Sequence, residues 1–494
     1  MKNNHNLTKS IFWLTISEII FNISGYIIHS GVGRILGPAD YGRYGLVITL
    51  TTMIIILIGN GIPTAMSKFL SEIFENKPSM IEVIKRKSLI LQSILIGFVT
   101  IIFFLLAPAL SMLLGDPSLT KLFRLSTLII PAFAAASFYF YYFTGIHRFN
   151  LQAILKTIRS VAKVIFILTL AWFFKIEGSI TGYILAPIFV FLIAFIIDKF
   201  LISKKNLQSQ KNLNRTSQPS SYFSWKKLIN YAWPFTLFLL FYEIMISIDL
   251  YLVKAITASD YLTGIYNGAL TVGRIPYYLF YALTIVLLPT ISKTTSQNNH
   301  KETQETINKA LRLMLLLLPI GIIIMSVFAT PILSIFYGSD YISGTMSMQI
   351  LILGVSFLTV FYVLSFAFSG AGKVKLPMWI ALGGMILNII LSYILIHKYA
   401  ILGAAIATSI TSFLIMLISL YLIKREFNSF IKIKSLIKVF IVSLITYFIA
   451  ILFPTNNYLF ILWSLILSVI YFTALYIFKE INKEDILIFK KLRR

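Results

Sequence analysis

The chain has 494 residues, is 58% hydrophobic and only 12% charged, and carries a net charge of +25 with no cysteine. The lack of cysteine excludes disulfides, iron–sulfur clusters and thiolate chemistry. A mean hydropathy of +0.86 comes from recurrent apolar runs of bilayer-spanning length. These lack the polar face of a soluble amphipathic helix and define an all-α polytopic membrane protein.

In chain order, apolar runs near 11–33, 42–66, 88–114, 122–145, 151–174 and 179–202 come first. The first lacks a small-residue cleavage site and leads straight into the second, so a retained helix is expected rather than a signal peptide. The longest polar interruption, "SKKNLQSQKNLNRTSQPSS" at 203–221, reads as a basic linker near the middle of the chain. Eight more runs follow near 228–254, 261–289, 309–336, 342–369, 377–397, 400–423, 436–453 and 457–478.

Fourteen spans with both termini on the inner side give a consistent charge asymmetry. Of the 43 Lys and Arg residues, 32 then fall inside, four lie within spans, and seven fall outside: Arg34, Arg43, Lys121, Arg124, Lys175, Lys254 and Lys398. Short cytoplasmic loops collect basic residues in this way. The net charge is accounted for by topology and by anionic lipid headgroups, so no nucleic acid is implied.

The chain also repeats itself. "GRILGPADYGRYGL" (33–46) is echoed by "LVKAITASDYLTGIYNGAL" (252–270), with Arg34 and Asp40-Tyr41 answered by Lys254 and Asp260-Tyr261. "PTAMSK" (63–68) is answered by "PTISK" (289–293), "APALSMLLGD" (107–116) by "ATPILSIFYGSD" (329–340), and "FTGIHRFNL" (143–151) by "FSGAGKVKL" (368–376). The offsets run from 220 to 225 residues. Six helices repeated by six in the same orientation predict two lobes with a substrate site between them, the plan of a transporter. The expected division is 1–210 for the N-terminal lobe, 211–430 for the C-terminal lobe, and 431–494 for two further helices and a basic cytoplasmic tail.

"RILGPADYGRYGL", the 6 + 6 + 2 plan and "LLPTISK" at 287–293 resemble polysaccharide flippases of the Wzx type. These belong to the multidrug/oligosaccharidyl-lipid/polysaccharide exporter superfamily, and the resemblance covers essentially the whole chain. It implies a cell-membrane protein that moves a polyprenyl-(pyro)phosphate-linked oligosaccharide to the outer leaflet by alternating access between two lobes. Membrane lipids and a polysaccharide polymerase or glycosyltransferases are the partners it implies. The alternatives are a cation-coupled drug antiporter of the same superfamily and a polyprenyl-dependent glycosyltransferase or polymerase. An enzyme is not expected, because no outer loop is long enough to carry a catalytic domain.

Charges within spans mark paths or water-filled cavities. Lys156, Arg159 and Lys163 stand at i, i+3 and i+7 of the fifth helix, one face that suits a pyrophosphate, against the alternative of snorkelling to inner headgroups. Arg274, in the middle of the eighth helix, is the strongest candidate for substrate contact, against an ion pair with Glu243 or Asp249 of the seventh. Glu18, Glu243 and Asp249 are candidates for proton coupling or for structural ion pairing. At the outer face, Arg34 and Asp40 with Lys254 and Asp260 are candidates for a gate, against a plain role in turn and topology.

The resemblance further implies a sodium site in the C-terminal lobe, to which Asn388 and Thr408 correspond. Ser392 stands where the family has a carboxylate, so Glu243 or Asp249 would have to supply the charge. No other cofactor is expected. His147 and His397 lack metal-ligand spacing, and "GAGK" (370–373) departs from a phosphate loop at Ala367 and Val374, so it reads as an inner turn.

Overall fold

A computed structural model describes residues 2–59, 62–73, 80–202, 236–454 and 459–481, and no strand occurs among them. The linker at 203–221 and the expected 210/211 boundary lie outside these described residues. The first half holds α1 (Lys2–Gly59), α2 (Ile62–Ile73), α3 (Met80–Leu113), α4 (Leu119–Ser126), α5 (Ile129–Gly145) and α6 (Phe149–Ile197), which ends in a π turn at Asp198–Ile202. The second holds α7 (Ile248–Thr257), α8 (Asp260–Gly273), α9 (Ile275–Ser296), α10 (His300–Val327), α11 (Ala329–Tyr337), α12 (Thr345–Gly370), α13 (Lys375–Phe427), α14 (Ile433–Ile451) and α15 (Phe460–Ile477).

Eleven helical stretches among the described residues are long and apolar enough to cross a bilayer. Three of them, Ile16–Ile56, Phe149–Phe200 and Lys375–Phe427, run 41, 52 and 53 residues. A straight helix of that length would be roughly 60–80 Å long, at least twice the ~30 Å hydrocarbon core. Each is broken at one residue: Gly37 (φ 75°, ψ 172°), Lys175 (φ 52°, ψ −128°) and Ala400 (φ 47°, ψ −128°). At the last two the chain folds back on itself tightly. A β-carbon at Gly178 would lie 1.9 Å from the Leu170 carbonyl oxygen, and one at Gly403 would lie 2.1 Å from that of Leu395. Only glycine permits so close a return.

These breaks carry the internal repeat into the backbone. Left-handed residues recur as the pairs Gly37/Ala258, Gly115/Gly338, His147/Gly372 and Lys175/Ala400, at separations of 221 to 225 residues. The two halves therefore turn at equivalent places, although only Gly115/Gly338 keeps the same residue.

The chain divides into two compact units, Met1–Ser247 with Ala258–Gly264, and Ile248–Thr257 with Ile265–Arg494. In the second, α14 and α15 pack on α10. Their junction is tied by Glu480, whose carboxylate receives the Ser435 hydroxyl and lies 3.6 Å from Arg312 and 3.8 Å from Lys438. Each unit has its own core. Met66, Leu70, Ile84, Phe138 and Phe143 anchor the first, and Leu287, Ile291, Leu311, Val363 and Phe368 the second. Large apolar side chains remain exposed along α3, α13, α14 and α15, as surfaces solvated by lipid require.

Within the first unit the π turn closes on α3. Lys85 donates to Asp198 at 2.5 Å, both side chains being nearly enclosed, and its ammonium lies 4.4 Å from the Tyr142 ring centroid. Removing one partner strands a buried charge, so Lys85→Met is expected to destabilise by about 3–5 kcal/mol. The double variant Lys85→Met/Asp198→Leu should recover most of the loss. Unfolding of the purified variants in detergent tests this, and equal losses in both would show that the pair is immaterial.

Candidate functional site

Lys156, Arg159 and Lys163 of the first unit lie on the first limb of α6, but they face different helices. Lys156 pairs with Glu18 of α1, and its ammonium lies 5.2 Å from the Phe21 ring centroid. Lys163, two turns further on, approaches the same ring at 5.9 Å and the Tyr183 ring at 4.4 Å. Arg159 turns instead toward α5, where Phe133 and Phe140 flank its guanidinium at 4.7 and 4.6 Å. Its Nη1 donates to Ser137 at 3.3 Å, and the residue is only 5% exposed. The i, i+7 pair thus shares a face against α1, while the i+3 member is held in an aromatic clamp. Rings with negative faces stabilise cations where water is scarce.

Beyond Lys163 the contacts continue through side chains that a sequence reading treats as ordinary core. The Tyr44 hydroxyl donates to that of Tyr183 at 3.2 Å, Tyr44 stacks on Tyr41, and Tyr41 Oη lies 2.9 Å from His29 Nδ1. His29 is a titratable group inside the first span, and that alone marks it in the sequence. Its tyrosine partners carry no such signal.

In the second unit a carboxylate gathers hydroxyls from two other helices. Asp249 Oδ2 accepts from Tyr266 of α8 at 2.6 Å and from Thr408 of α13 at 2.8 Å, and Oδ1 accepts the Leu250 amide at 2.8 Å. Asn388 Oδ1 lies 3.5 Å from Thr408 Oγ1 and accepts from Ser392 at 3.3 Å. Asp249, Asn388 and Ser392 are all fully buried. Of the two seventh-helix acids, Asp249 is the one brought to Asn388 and Thr408. Glu243 lies in the first unit. Tyr266 is an addition that sequence spacing does not reveal.

Arg274 does not sit in an uninterrupted helix. It occupies the turn between α8 and α9, with Pro276 following, and is half-buried. Its guanidinium acts electrostatically on both Asp249 and Tyr266. The Arg274 backbone keeps its helical bonds to Leu270 and from Tyr278, and the interruption is the amide donor that Pro276 lacks.

The outer-face candidates are distributed differently. Asp40 lies 3.8 Å from Arg43, one turn on along α1, and Arg43 also lies 3.8 Å from Asp116. Arg34 is exposed on α1, and Lys254 is buried in the second unit. Asp260 belongs with the first unit, where its carbonyl oxygen would meet a β-carbon on Gly42 at 2.5 Å.

Repeated long apolar helices with cations held inside the spans define a multi-pass helical membrane protein. The chain belongs to the polysaccharide biosynthesis protein family, whose profile matches residues 7–295, and the MatE profile matches residues 234–394. It is thus a cell-membrane flippase-type transporter of the multidrug/oligosaccharidyl-lipid/polysaccharide exporter superfamily. An uncharacterized membrane protein of Methanocaldococcus jannaschii is 27% identical over 85% of this chain and 98% of its own length. Lipid II flippase MurJ of Bacillus subtilis is 23% identical over 85% of this chain and 83% of its own. A structure of lipid II flippase MurJ in an inward closed conformation superposes with a TM-score of 0.74, at 21% identity over 95% of this chain and 99% of that one.

Proposed function

We propose that the protein translocates a polyprenyl-(pyro)phosphate-linked oligosaccharide from the inner to the outer leaflet by alternating access, for surface polysaccharide or glycan assembly. Fourteen crossings with both termini cytoplasmic belong to this reading. The three broken stretches then count as two crossings each. The observation that carries it is the pair of cationic groups kept inside the spans of a polysaccharide-family transporter: Lys163 on α6 and Arg274 at the α8–α9 break. Ammonium and guanidinium groups bind phosphate oxygens by charge-assisted hydrogen bonds. Each unit offers the cargo a basic group of its own. In this reading Lys156, paired with Glu18, and Arg159, between Phe133 and Phe140, hold the basic face in place.

Export is coupled to an ion at Asp249. Its carboxylate, the Asn388 amide oxygen and the Thr408 and Tyr266 hydroxyls form an oxygen set with one negative charge. That set fits a hard monovalent cation, sodium or a proton, better than a divalent metal. Glu18 is assigned to pairing with Lys156 rather than to coupling.

Depleting the protein from its host and extracting polyprenyl-linked saccharides tests the reading. A complete repeat unit is expected to accumulate on the cytoplasmic leaflet, and mass spectrometry identifies it. Intact surface glycan without accumulation would overturn the proposal in favour of a cation-coupled drug antiporter.

A further inference from the structure

The inner excess of basic charge leaves only seven Lys and Arg residues on the side assigned as outer. Three of these seven, Arg43, Lys121 and Lys175, come from three separate chain reversals of the first unit and line one cavity of about 310 Å³. Asp40, Ser118 and Glu177 complete its polar wall. Arg43 is fixed there by the Ser118 hydroxyl at 2.5 Å and by Asp40 and Asp116. Lys121 reaches Glu177 at 3.4 Å. The exposed ammonium of Lys175 has no hydrogen-bond or ion-pair partner among the described residues.

The internal repeat separates what the turn needs from what has been added to it. Lys175 holds a backbone conformation that only glycine adopts without strain. Ala400 holds the same conformation in the second unit, 225 residues later, with no charge. At the same offset Leu402 stands for Glu177, and at the 223-residue offset of the Gly115/Gly338 pair Gly344 stands for Lys121. The fold builds this reversal without the charges, so the charges serve something other than the fold.

The cavity's depth identifies the occupant. The residues just before its walls on α3 and α6 are apolar and strongly exposed, among them Leu113 at 76%, Trp172 at 69% and Phe173 at 70%. A tryptophan at the end of an exposed apolar surface, next to charged residues, marks the bilayer–water boundary, where headgroups lie. We propose that the cavity is a headgroup site for a phospholipid of the outer leaflet. The phosphodiester is held by Lys175 and Lys121, and the amine or hydroxyls beyond the phosphate are held by Asp40 and Glu177. A wall of three cations and two carboxylates suits a phosphate carrying a donor group, whereas a purely basic wall would suit a naked anion. The acyl chains lie along the exposed apolar ends of α3 and α6. The proposal does not depend on the identity of the cargo.

The test is thermal unfolding of the full-length protein in detergent, titrated with four probes: dioctanoyl phosphatidylethanolamine, dioctanoyl phosphatidylglycerol, dioctanoylglycerol and inorganic phosphate. The two phospholipids are expected to raise the unfolding temperature saturably, and the other two probes are not. In Lys121→Ala/Lys175→Ala the half-saturating phospholipid concentration should rise about tenfold or more, with the unliganded unfolding temperature unchanged because both side chains are exposed. The single variant Lys175→Gln should show a smaller shift in the same direction, and Lys398→Ala none. Equal half-saturation in wild type and double variant would overturn the proposal. Equal protection by dioctanoylglycerol would assign the effect to acyl chains alone and overturn it too. Protection by inorganic phosphate would make the cavity a free-phosphate site, which also overturns it. Loss of lipid-linked saccharide export in the double variant, with phospholipid protection intact, would reassign the cavity to the cargo.

Discussion

Arg274→Ala is expected to abolish transport, slowing it by about a hundredfold or more, while the chain still folds and inserts. The residue lies about 20 Å along α8 from Asp260 at the helix's 1.5 Å rise per residue, well within the span. It sits beside the Pro276 interruption of the helix, and it is only half-buried. Truncation therefore removes a long cationic arm without emptying a core position. Two charge-assisted hydrogen bonds to a phosphate, at about 1.5–3 kcal/mol each, account for a loss of that size. Arg274→Lys keeps the charge but loses the planar fork, so partial activity is expected. The measurement is the level of lipid-linked saccharide in host cells carrying each variant, with membrane abundance measured in parallel. Wild-type surface glycan in Arg274→Ala cells would remove Arg274 from the transport path.

Asp249→Asn is expected to uncouple the transporter: uptake or export in vesicles should lose its response to an imposed sodium or proton gradient. The amide keeps an oxygen for Tyr266 and Thr408 but carries no charge, so the hydroxyl cluster persists without its affinity for a cation. Sodium protection against unfolding, if sodium is the ion, should weaken by at least about tenfold in the variant, the equivalent of 1.4 kcal/mol. Asp249→Leu is a different experiment. It leaves two buried hydroxyls and the Leu250 amide without an acceptor, at about 1–3 kcal/mol each, and is expected to lower expression as well. A fully gradient-dependent Asp249→Asn transporter would place coupling elsewhere. Reading the Asn and Leu variants together separates loss of charge from loss of packing.

The helical membrane class, the repeat and its offset were all legible in the chain. Each rests on a local physical requirement: apolar runs long enough for a bilayer, few charges within them, and turn residues where the backbone reverses. Gly37-Pro38 announces its break, because proline lacks the amide hydrogen a helix needs and glycine tolerates positive φ. Lys175 and Ala400 announce nothing, since neither residue type favours the conformation it adopts, and only the surrounding packing holds them there. Spacing also placed Lys156, Arg159 and Lys163 on one stretch of helix. It did not show that Arg159 would be claimed by two phenylalanines of α5 while Lys163 turned to Tyr183.

The choice of Asp249 over Glu243 beside Asn388 and Thr408 belongs to tertiary structure, as does the arrival of Tyr266 from a neighbouring helix. So does the meeting of Arg43, Lys121 and Lys175 in one cavity. Periodicity and composition act within a run of some twenty residues, and they settle which segments enter the membrane and where the chain turns. Which polar groups then share one buried site depends on how helices distant in sequence rotate and pack against each other, and no local pattern encodes that.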